Sequence, residues 1–127
     1  MTEAQIHRAI LQYLRLAMPR ALIHHSANEV ALSGKDVARA IGKAKGLGML
    51  PGFPDIAVFP GAHIGPLFFE VKTPRGTLSA AQRAVMGQLI DAGYRYAVVR
   101  SVTDAQERLA EWGIWQERAI PLRGTIL

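Results

Sequence analysis

The sequence contains no cysteine, and this absence excludes several kinds of site. Disulfide bonds, thiolate zinc centres and cysteine nucleophiles all need a sulfur ligand or nucleophile that the chain does not have. The four histidines, His7, His24, His25 and His63, show no metal-ligand spacing such as two histidines separated by three residues. The histidine pattern therefore gives no indication of a metal site.

Long apolar runs are also missing. No stretch approaches the roughly 18–20 residues that a membrane-spanning helix requires. The N-terminal segment MTEAQIHRAILQYLR (residues 1–15) is amphipathic rather than signal-like. The chain has no internal repeat, low-complexity tract or interdomain linker. Its 127 residues, of which 50% are hydrophobic, predict one domain over residues 1–127, located in the cytoplasm and without a membrane partner.

Acidic residues are scarce in the middle of the chain. Lys and Arg number 15 against 10 Asp and Glu, which gives a formal net charge of +5 and favours a polyanionic partner. Residues 30–90 contain seven bases and only three acids, Asp36, Asp55 and Glu70. Isolated carboxylates in a basic segment indicate a specific role for those side chains.

The hydrophobic pattern predicts helices interspersed with short strands. In the opening helix, Ile6, Ile10 and Leu14 recur at helical spacing, and Pro19 limits its length. The later elements are predicted as a strand at 21–27, a helix at 33–48, strands at 55–59 and 67–72, a helix at 80–92, a strand at 94–101, and a helix at 103–113 with Thr103 or Asp104 near its cap.

The resulting order, α-β-α-β-β-α-β-α, predicts an α/β fold with a mixed central sheet flanked by helices. The strands at 55–59 and 67–72 are joined by a Gly/Pro-containing loop of seven residues, which predicts an antiparallel hairpin. The helical crossover after Lys72 favours a parallel partner on the other side.

The stretch LFFEVKTP (67–74) places two charges inside an apolar run suited to a buried strand. A charge removed from water costs several kcal/mol unless it is paired or bound to a metal. In the predicted hairpin, Asp55 at the start of the first strand faces the end of the second, so Asp55 and Glu70 approach each other. Lys72 lies two residues after Glu70 and therefore projects from the same face.

Two neighbouring carboxylates repel each other unless a proton or cation lies between them. Mg²⁺ or Mn²⁺ suits this position, since hard divalent cations prefer oxygen ligands, and the Val71 carbonyl is a further oxygen. A metal held there acidifies a bound water, while Lys72 orients that water or offsets phosphoryl charge. These groups suit hydrolysis of a phosphodiester bond. The spacing leaves open a structural alternative, in which Glu70 and Lys72 form a salt bridge and Asp55 caps a turn.

Several segments together resemble the VRR-NUC family of the PD-(D/E)xK nuclease superfamily. The matching segments are PGFPD (51–55), FFEVK (68–72), KTPRGTLSAAQ (72–82) and the opening helix TEAQIHRAILQYL (2–14). The resemblance runs from about Glu3 to Ser101. It implies a restriction-endonuclease-like core and a Mg²⁺- or Mn²⁺-dependent endodeoxyribonuclease.

The resemblance also implies roles for individual residues. The implied metal ligands are Glu3, Asp55, Glu70 and the Val71 carbonyl, with Lys72 as the catalytic lysine and Gln82 in the catalytic set. Glu3 near a helix N-terminus is favoured by the helix dipole in any case. Gln82 follows Ser79 in the S-x-x-Q pattern of a capping box, a role that is compatible with a place in the active site.

Basic side chains supply the candidates for DNA contacts. Lys35, Arg39 and Lys43 recur every four residues and form one stripe on the helix predicted at 33–48. A solvated helix face explains this stripe equally well. Lys45 and Arg75 are further candidates. His24 and His25 in the first predicted strand are interpreted as packing or surface residues, with a position near the site as the alternative.

Small stand-alone members of the family are similar to Holliday-junction-resolving enzymes that act as homodimers and are often encoded by phages or prophages. The resemblance therefore implies a bacterial or phage protein whose partners are branched or four-way DNA and a second copy of the chain. Two alternatives remain open. One is a non-catalytic nucleic-acid-binding module with the same fold, and the other is a restriction-type endonuclease that reads sequence.

Overall fold

A computed structural model of the chain describes residues 1–26, 46, 48, 50–61 and 63–114. The elements within these residues are the helix α1 (Glu3–Ala17), the strands β1 (Leu22–His25), β2 (Ile56–Phe59) and β3 (Leu67–Val71), the helix α2 (Ala80–Asp91), the strand β4 (Arg95–Val99) and the helix α3 (Val102–Glu111). Their order and type agree with the prediction. The helix predicted at 33–48 lies outside the described residues, apart from positions 46 and 48. None of the described helices combines the length and apolar character that crossing a membrane requires.

The four strands form one mixed sheet in the order β1-β2-β3-β4. Strand β2 is antiparallel to both β1 and β3, whereas β4 is parallel to β3. The short loop between β2 and β3 reverses the chain, and α2 carries it back across the sheet before β4 begins. Parallel pairing requires a crossover of this kind. The mixed α/β sheet that the sequence predicts is confirmed.

The hydrophobic core lies between one face of the sheet and the helices α1 and α3. Ile10 and Leu14 of α1 and Leu109 of α3 are completely buried against Phe69 and its sheet neighbours. Burial of one such side chain contributes about 1.5–3 kcal/mol. The core therefore fixes strand β3 from its Phe69 side and leaves the alternate residues of β3 to face the opposite layer.

The opposite layer contains α2, whose ends are defined by local chemistry. The Ser79 side chain accepts from the Gln82 N–H, and the Gln82 side chain accepts from the Ser79 N–H, which completes a capping box. The helix ends before Gly93, whose φ of +88° is the left-handed conformation that glycine adopts without strain. The first turn of α2 is thereby fixed above the sheet.

The cap of α3 lies just before the residues that the sequence places near it. Ser101 is the N-cap, and its Oγ accepts from the Asp104 N–H at 3.1 Å. Asp104 is instead inside the first turn, where its carboxylate accepts the Arg100 N–H at 2.8 Å. The serine is favoured because its hydroxyl reaches the free N–H groups at the helix start.

Candidate functional site

The register of the central hairpin brings the two predicted carboxylates together. Ile56 pairs with Phe69 in the antiparallel β2–β3 ladder, so the next position places Asp55 opposite Glu70. Opposed residues of an antiparallel pair project from the same face. Asp55 is 6% exposed and Glu70 is 1% exposed. Two acidic side chains are therefore buried side by side at the end of the sheet.

Each carboxylate is held by a specific donor. Asp55 Oδ2 accepts the Val71 N–H at 2.8 Å. Glu70 Oε2 accepts from Gln82 Nε2 at 3.1 Å and lies 3.8 Å from Lys72 Nζ. Glu70 Oε1 is buried, and among the described residues it has no hydrogen-bond partner. A buried carboxylate oxygen without a donor is costly, and a bound cation removes that cost.

The pair binds a proton tightly when no other cation is present. Burial first, and then the hydrogen bond to Asp55 and its charge, raise the pKa of Glu70 from 4.5 to about 9, although Lys72 acts in the opposite direction. A hydrogen bond between two carboxyl groups requires that one of them carries a proton. With both ionised, the negative charge of the two carboxylates exceeds the positive charge of Lys72, and a bound divalent cation offsets the excess.

The Val71 carbonyl lies on the side of strand β3 that faces Asp55. Lys72 donates its N–H to the Val99 carbonyl at 3.1 Å, so the polar groups of Lys72 face β4 and those of Val71 face β2. Continuing the β2–β3 register places Pro54 opposite Val71. Proline has no N–H, so this position cannot donate to the Val71 carbonyl. The ladder therefore ends with an oxygen atom left beside the carboxylates.

The two carboxylates and the Val71 carbonyl supply part of the ligand set of a hard divalent cation. Two carboxylates and a carbonyl are oxygen donors of the type that Mg²⁺ and Mn²⁺ accept while they retain several waters. The charge of Glu3 also raises the pKa of Glu70, which places Glu3 in the neighbourhood of the pair. Within the described ranges, however, no three His, Asp or Glu side chains cluster closely enough to hold a metal ion by themselves. Direct ligation by Glu3 stays a prediction.

Gln82 has both of the roles that its sequence pattern allows. Its side-chain oxygen completes the capping box of α2, and its side-chain nitrogen donates to Glu70. The amide orientation is thus fixed at both ends. The helix start and the carboxylate pair are connected through one side chain.

The loop before β2 packs directly on the first turn of α2. Gly52 has a φ of +83°, and a Cβ at this position would lie 2.4 Å from the Ala81 carbonyl carbon and 2.7 Å from the Gln82 nitrogen. Only glycine permits this approach without displacing the backbone. The contact aligns the segment that carries Asp55 with the helix that carries Gln82.

Two residues near the site were not found by reasoning from the sequence. Tyr96 lies on the Glu70 face of the sheet, because Val98 pairs with Glu70 and position 96 is two residues earlier. Burial, followed by the charges of Glu70 and Asp55, raises the pKa of Tyr96 above its ordinary value. Arg100 Nη1 donates to the Thr73 carbonyl at 2.6 Å and to the Gly76 carbonyl at 2.7 Å, which holds the turn after Lys72. Both positions depend on the parallel β3–β4 register.

The predicted DNA contacts are divided between described and undescribed residues. Arg75 is exposed on the turn that Arg100 holds. The other four candidates, Lys35, Arg39, Lys43 and Lys45, lie outside the described residues. His24 and His25 are both exposed, and the ring of His25 contacts the ring of His7 at a centroid distance of 5.2 Å.

Comparisons with known proteins identify the fold and the family. The model of the VRR-NUC domain family matches residues 2–103, which is most of the chain, so the chain belongs to this family. A solved structure described as a VRR_NUC domain protein is similar, with a TM-score of 0.64 at 18% identity over 88% of each chain. No curated protein sequence matches the chain significantly. The protein therefore has the nuclease-type fold of the VRR-NUC family.

Proposed function

We propose that this VRR-NUC protein is a metal-dependent, structure-selective DNA endonuclease that resolves four-way junctions as a homodimer. The buried Asp55–Glu70 pair is the observation that carries the proposal. Burying both carboxylates is costly, and the pKa of about 9 at Glu70 reflects that cost. A bound cation would satisfy Glu70 Oε1, for which the described residues supply no hydrogen-bond donor.

In this proposal Asp55, Glu70 and the Val71 carbonyl hold Mg²⁺ or Mn²⁺, with Glu3 as a further ligand. When bound, such an ion acidifies a water molecule and stabilises negative charge on a phosphoryl oxygen. Asp55 is held by the Val71 N–H, and Glu70 is held by Gln82, so both carboxylates are oriented before the substrate arrives. Preorganised charge of this kind is an effective source of transition-state stabilisation.

Lys72 is the proposed catalytic lysine. Its ammonium group lies 3.8 Å from Glu70 Oε2 on the same face of the sheet and is largely buried. A cation in this position orients the attacking water through its N–H donors. It also offsets the charge that develops on the phosphorus centre as the water attacks.

The proposed substrate is branched DNA, and the proposed assembly is a C2 dimer. The net charge of +5 favours a polyanion, and the exposed Arg75, on the turn after Lys72, is a proposed phosphate contact. Lys35, Arg39, Lys43 and Lys45, which lie outside the described residues, are further proposed DNA contacts on the ground of their sequence spacing alone. A four-way junction has two symmetry-related strands, and a C2 dimer offers one active site to each.

The test is cleavage of a labelled four-way junction in Mn²⁺ or Mg²⁺, with a parallel reaction in excess chelator. Single-turnover cleavage is expected only with the metal. The replacements Asp55→Asn, Glu70→Gln and Lys72→Ala should each reduce the rate by at least about 100-fold. Asp91→Asn, an exposed acid at the end of α2, is the matched control and should cleave normally.

Three outcomes contradict the proposal in different ways. Cleavage that survives all three active-site replacements refutes the site. Junction binding without product in any metal indicates the non-catalytic module. Cleavage of linear duplexes at one sequence, with no preference for branched DNA, indicates a restriction-type enzyme. Sedimentation of the protein alone and with junction DNA tests the dimer.

A further inference from the structure

A cavity adjoins the carboxylate pair. It has a volume of about 290 Å³ and lies between helix α1 and the end of strand β1. Its polar wall comprises His7, Arg8, His25, Ser26 and Asp55. We refer to it as the α1–β1 cavity. Asp55 belongs both to this cavity and to the carboxylate pair, so the two sites share a wall.

The sequence places these side chains together through two regular elements. His7 and Arg8 face the cavity from the same surface of α1, one turn after Ala4 and one turn before Leu11. On the opposite wall, the Ser26 N–H donates to the Asp55 carbonyl at 2.8 Å. This bond fixes the end of β1 against the start of β2, so the distance between the cavity and the carboxylates is set by backbone structure.

The cavity has the chemistry of an anion site with an apolar floor. Arg8 and His25 are exposed and present guanidinium and imidazole groups, which donate hydrogen bonds to phosphate oxygens. The His7 ring meets the His25 ring edge to face at an interplanar angle of 73°. Asp55 is the one acidic side chain in the described lining, and Ala4 and Leu11 supply apolar surface suited to a sugar.

We propose that the α1–β1 cavity binds the DNA phosphate next to the one that is cleaved, together with its deoxyribose. This inference rests on the proposed function, since it takes DNA as the substrate. When the scissile phosphate of a DNA strand lies at Asp55 and Glu70, the next phosphate of that DNA strand lies on the other side of Asp55, in the cavity. Arg8 and His25 then fix the register of the strand relative to the metal ligands, as phosphate contacts do in protein–DNA complexes.

The test combines a substrate series with a double variant. Methylphosphonates, which are neutral, replace one phosphate at a time along the cleaved strand of a labelled four-way junction. Binding is measured in chelator and cleavage is measured in Mn²⁺, for the wild type and for Arg8→Ala/His25→Ala. One position adjacent to the cut should weaken wild-type binding by roughly tenfold, which is the scale of a lost charge-assisted hydrogen bond. The same substitution should weaken binding by the double variant less than about threefold, because its contact is already absent.

Arg15→Ala is the matched control, because Arg15 is an exposed arginine on the same helix, outside the cavity lining. It should retain the wild-type interference pattern. Thermal unfolding and circular dichroism check that the double variant is folded, and single Arg8→Ala replaces it if it is not.

Measuring binding and cleavage separately distinguishes the cavity proposal from the endonuclease proposal. An interference pattern that is the same in the wild type and the double variant overturns the cavity proposal, even if cleavage is normal. Absence of any DNA binding overturns it as well. Interference with wild-type binding at one phosphate position, lost in the double variant, supports the cavity even without cleavage in any metal, and that outcome contradicts the endonuclease.

Discussion

The raised pKa of Glu70 predicts how the stability of the metal-free protein depends on pH. In the folded chain the pKa is about 9, whereas the unfolded chain has the ordinary value of 4.5. Between these values the folded state retains a proton that the unfolded state has lost. The stabilisation from Glu70 is therefore fully present below pH 4.5 and is lost as the pH rises toward 9.

The magnitude follows from linkage. One extra proton in the folded state lowers the free energy of unfolding by about 1.4 kcal/mol for each pH unit. From pH 5.5 to pH 7.5 the loss is therefore roughly 3 kcal/mol, a large share of the 5–15 kcal/mol that is typical of a domain.

Urea unfolding in chelator at several pH values measures this effect. Glu70→Gln has no titrating group at this position, so its free energy of unfolding should fall less steeply than that of the wild type. The difference between the two slopes should be about 1.4 kcal/mol per pH unit. Glu107→Gln changes an exposed glutamate on α3 and should follow the wild type. Parallel curves for the wild type and Glu70→Gln across this range would refute the buried-proton interpretation.

Three further predictions concern the elements that position the site. Gly52→Ala should destabilise the fold by about 1–3 kcal/mol in urea unfolding and slow cleavage, because its Cβ would meet the α2 backbone at 2.4 Å. Gly87→Ala on α2, where the added Cβ meets open space, should instead stabilise the fold by about 0.5–1 kcal/mol in the same assay. Gln82→Ala should lower the free energy of unfolding by about 0.5–2 kcal/mol and lower the cleavage rate. Gln82→Glu retains the capping acceptor but loses the donor to Glu70, so it should also cleave slowly. Phe69→Ala should cost about 3–5 kcal/mol in urea unfolding, and unfolding at the wild-type midpoint would contradict the role of this side chain in the core.

The meeting of Asp55 and Glu70 was predictable because it depends on local rules. Alternation along a strand fixes which residues share a face, and a short loop fixes which strand ends meet. These two rules place Asp55 opposite Glu70 without any knowledge of the rest of the fold. The capping box at Ser79 and Gln82 was predictable for the same reason.

Features that depend on contacts between distant elements were not predictable in this way. Tyr96 reaches the site only through the parallel β3–β4 register, which follows from α2 crossing the sheet and packing on it. The contact between Gly52 and the first turn of α2 joins a loop and a helix that are far apart in the sequence. Arg100 holds the turn after Lys72 across the same parallel pair. Hydrophobic periodicity shows which residues of one element share a face, but it does not indicate which distant elements come into contact.

The central claim is that Asp55 and Glu70 hold a divalent cation, and a Mn²⁺ titration tests it most directly. The electron paramagnetic resonance signal of free Mn²⁺ falls as the ion binds, which gives the number of bound ions per chain. At pH 8, wild type and Glu107→Gln should bind Mn²⁺ with the same affinity, and Asp55→Asn and Glu70→Gln should each lose at least about tenfold in affinity. Binding of equal affinity in Asp55→Asn, Glu70→Gln and the wild type, or no binding to the wild type, would contradict the account.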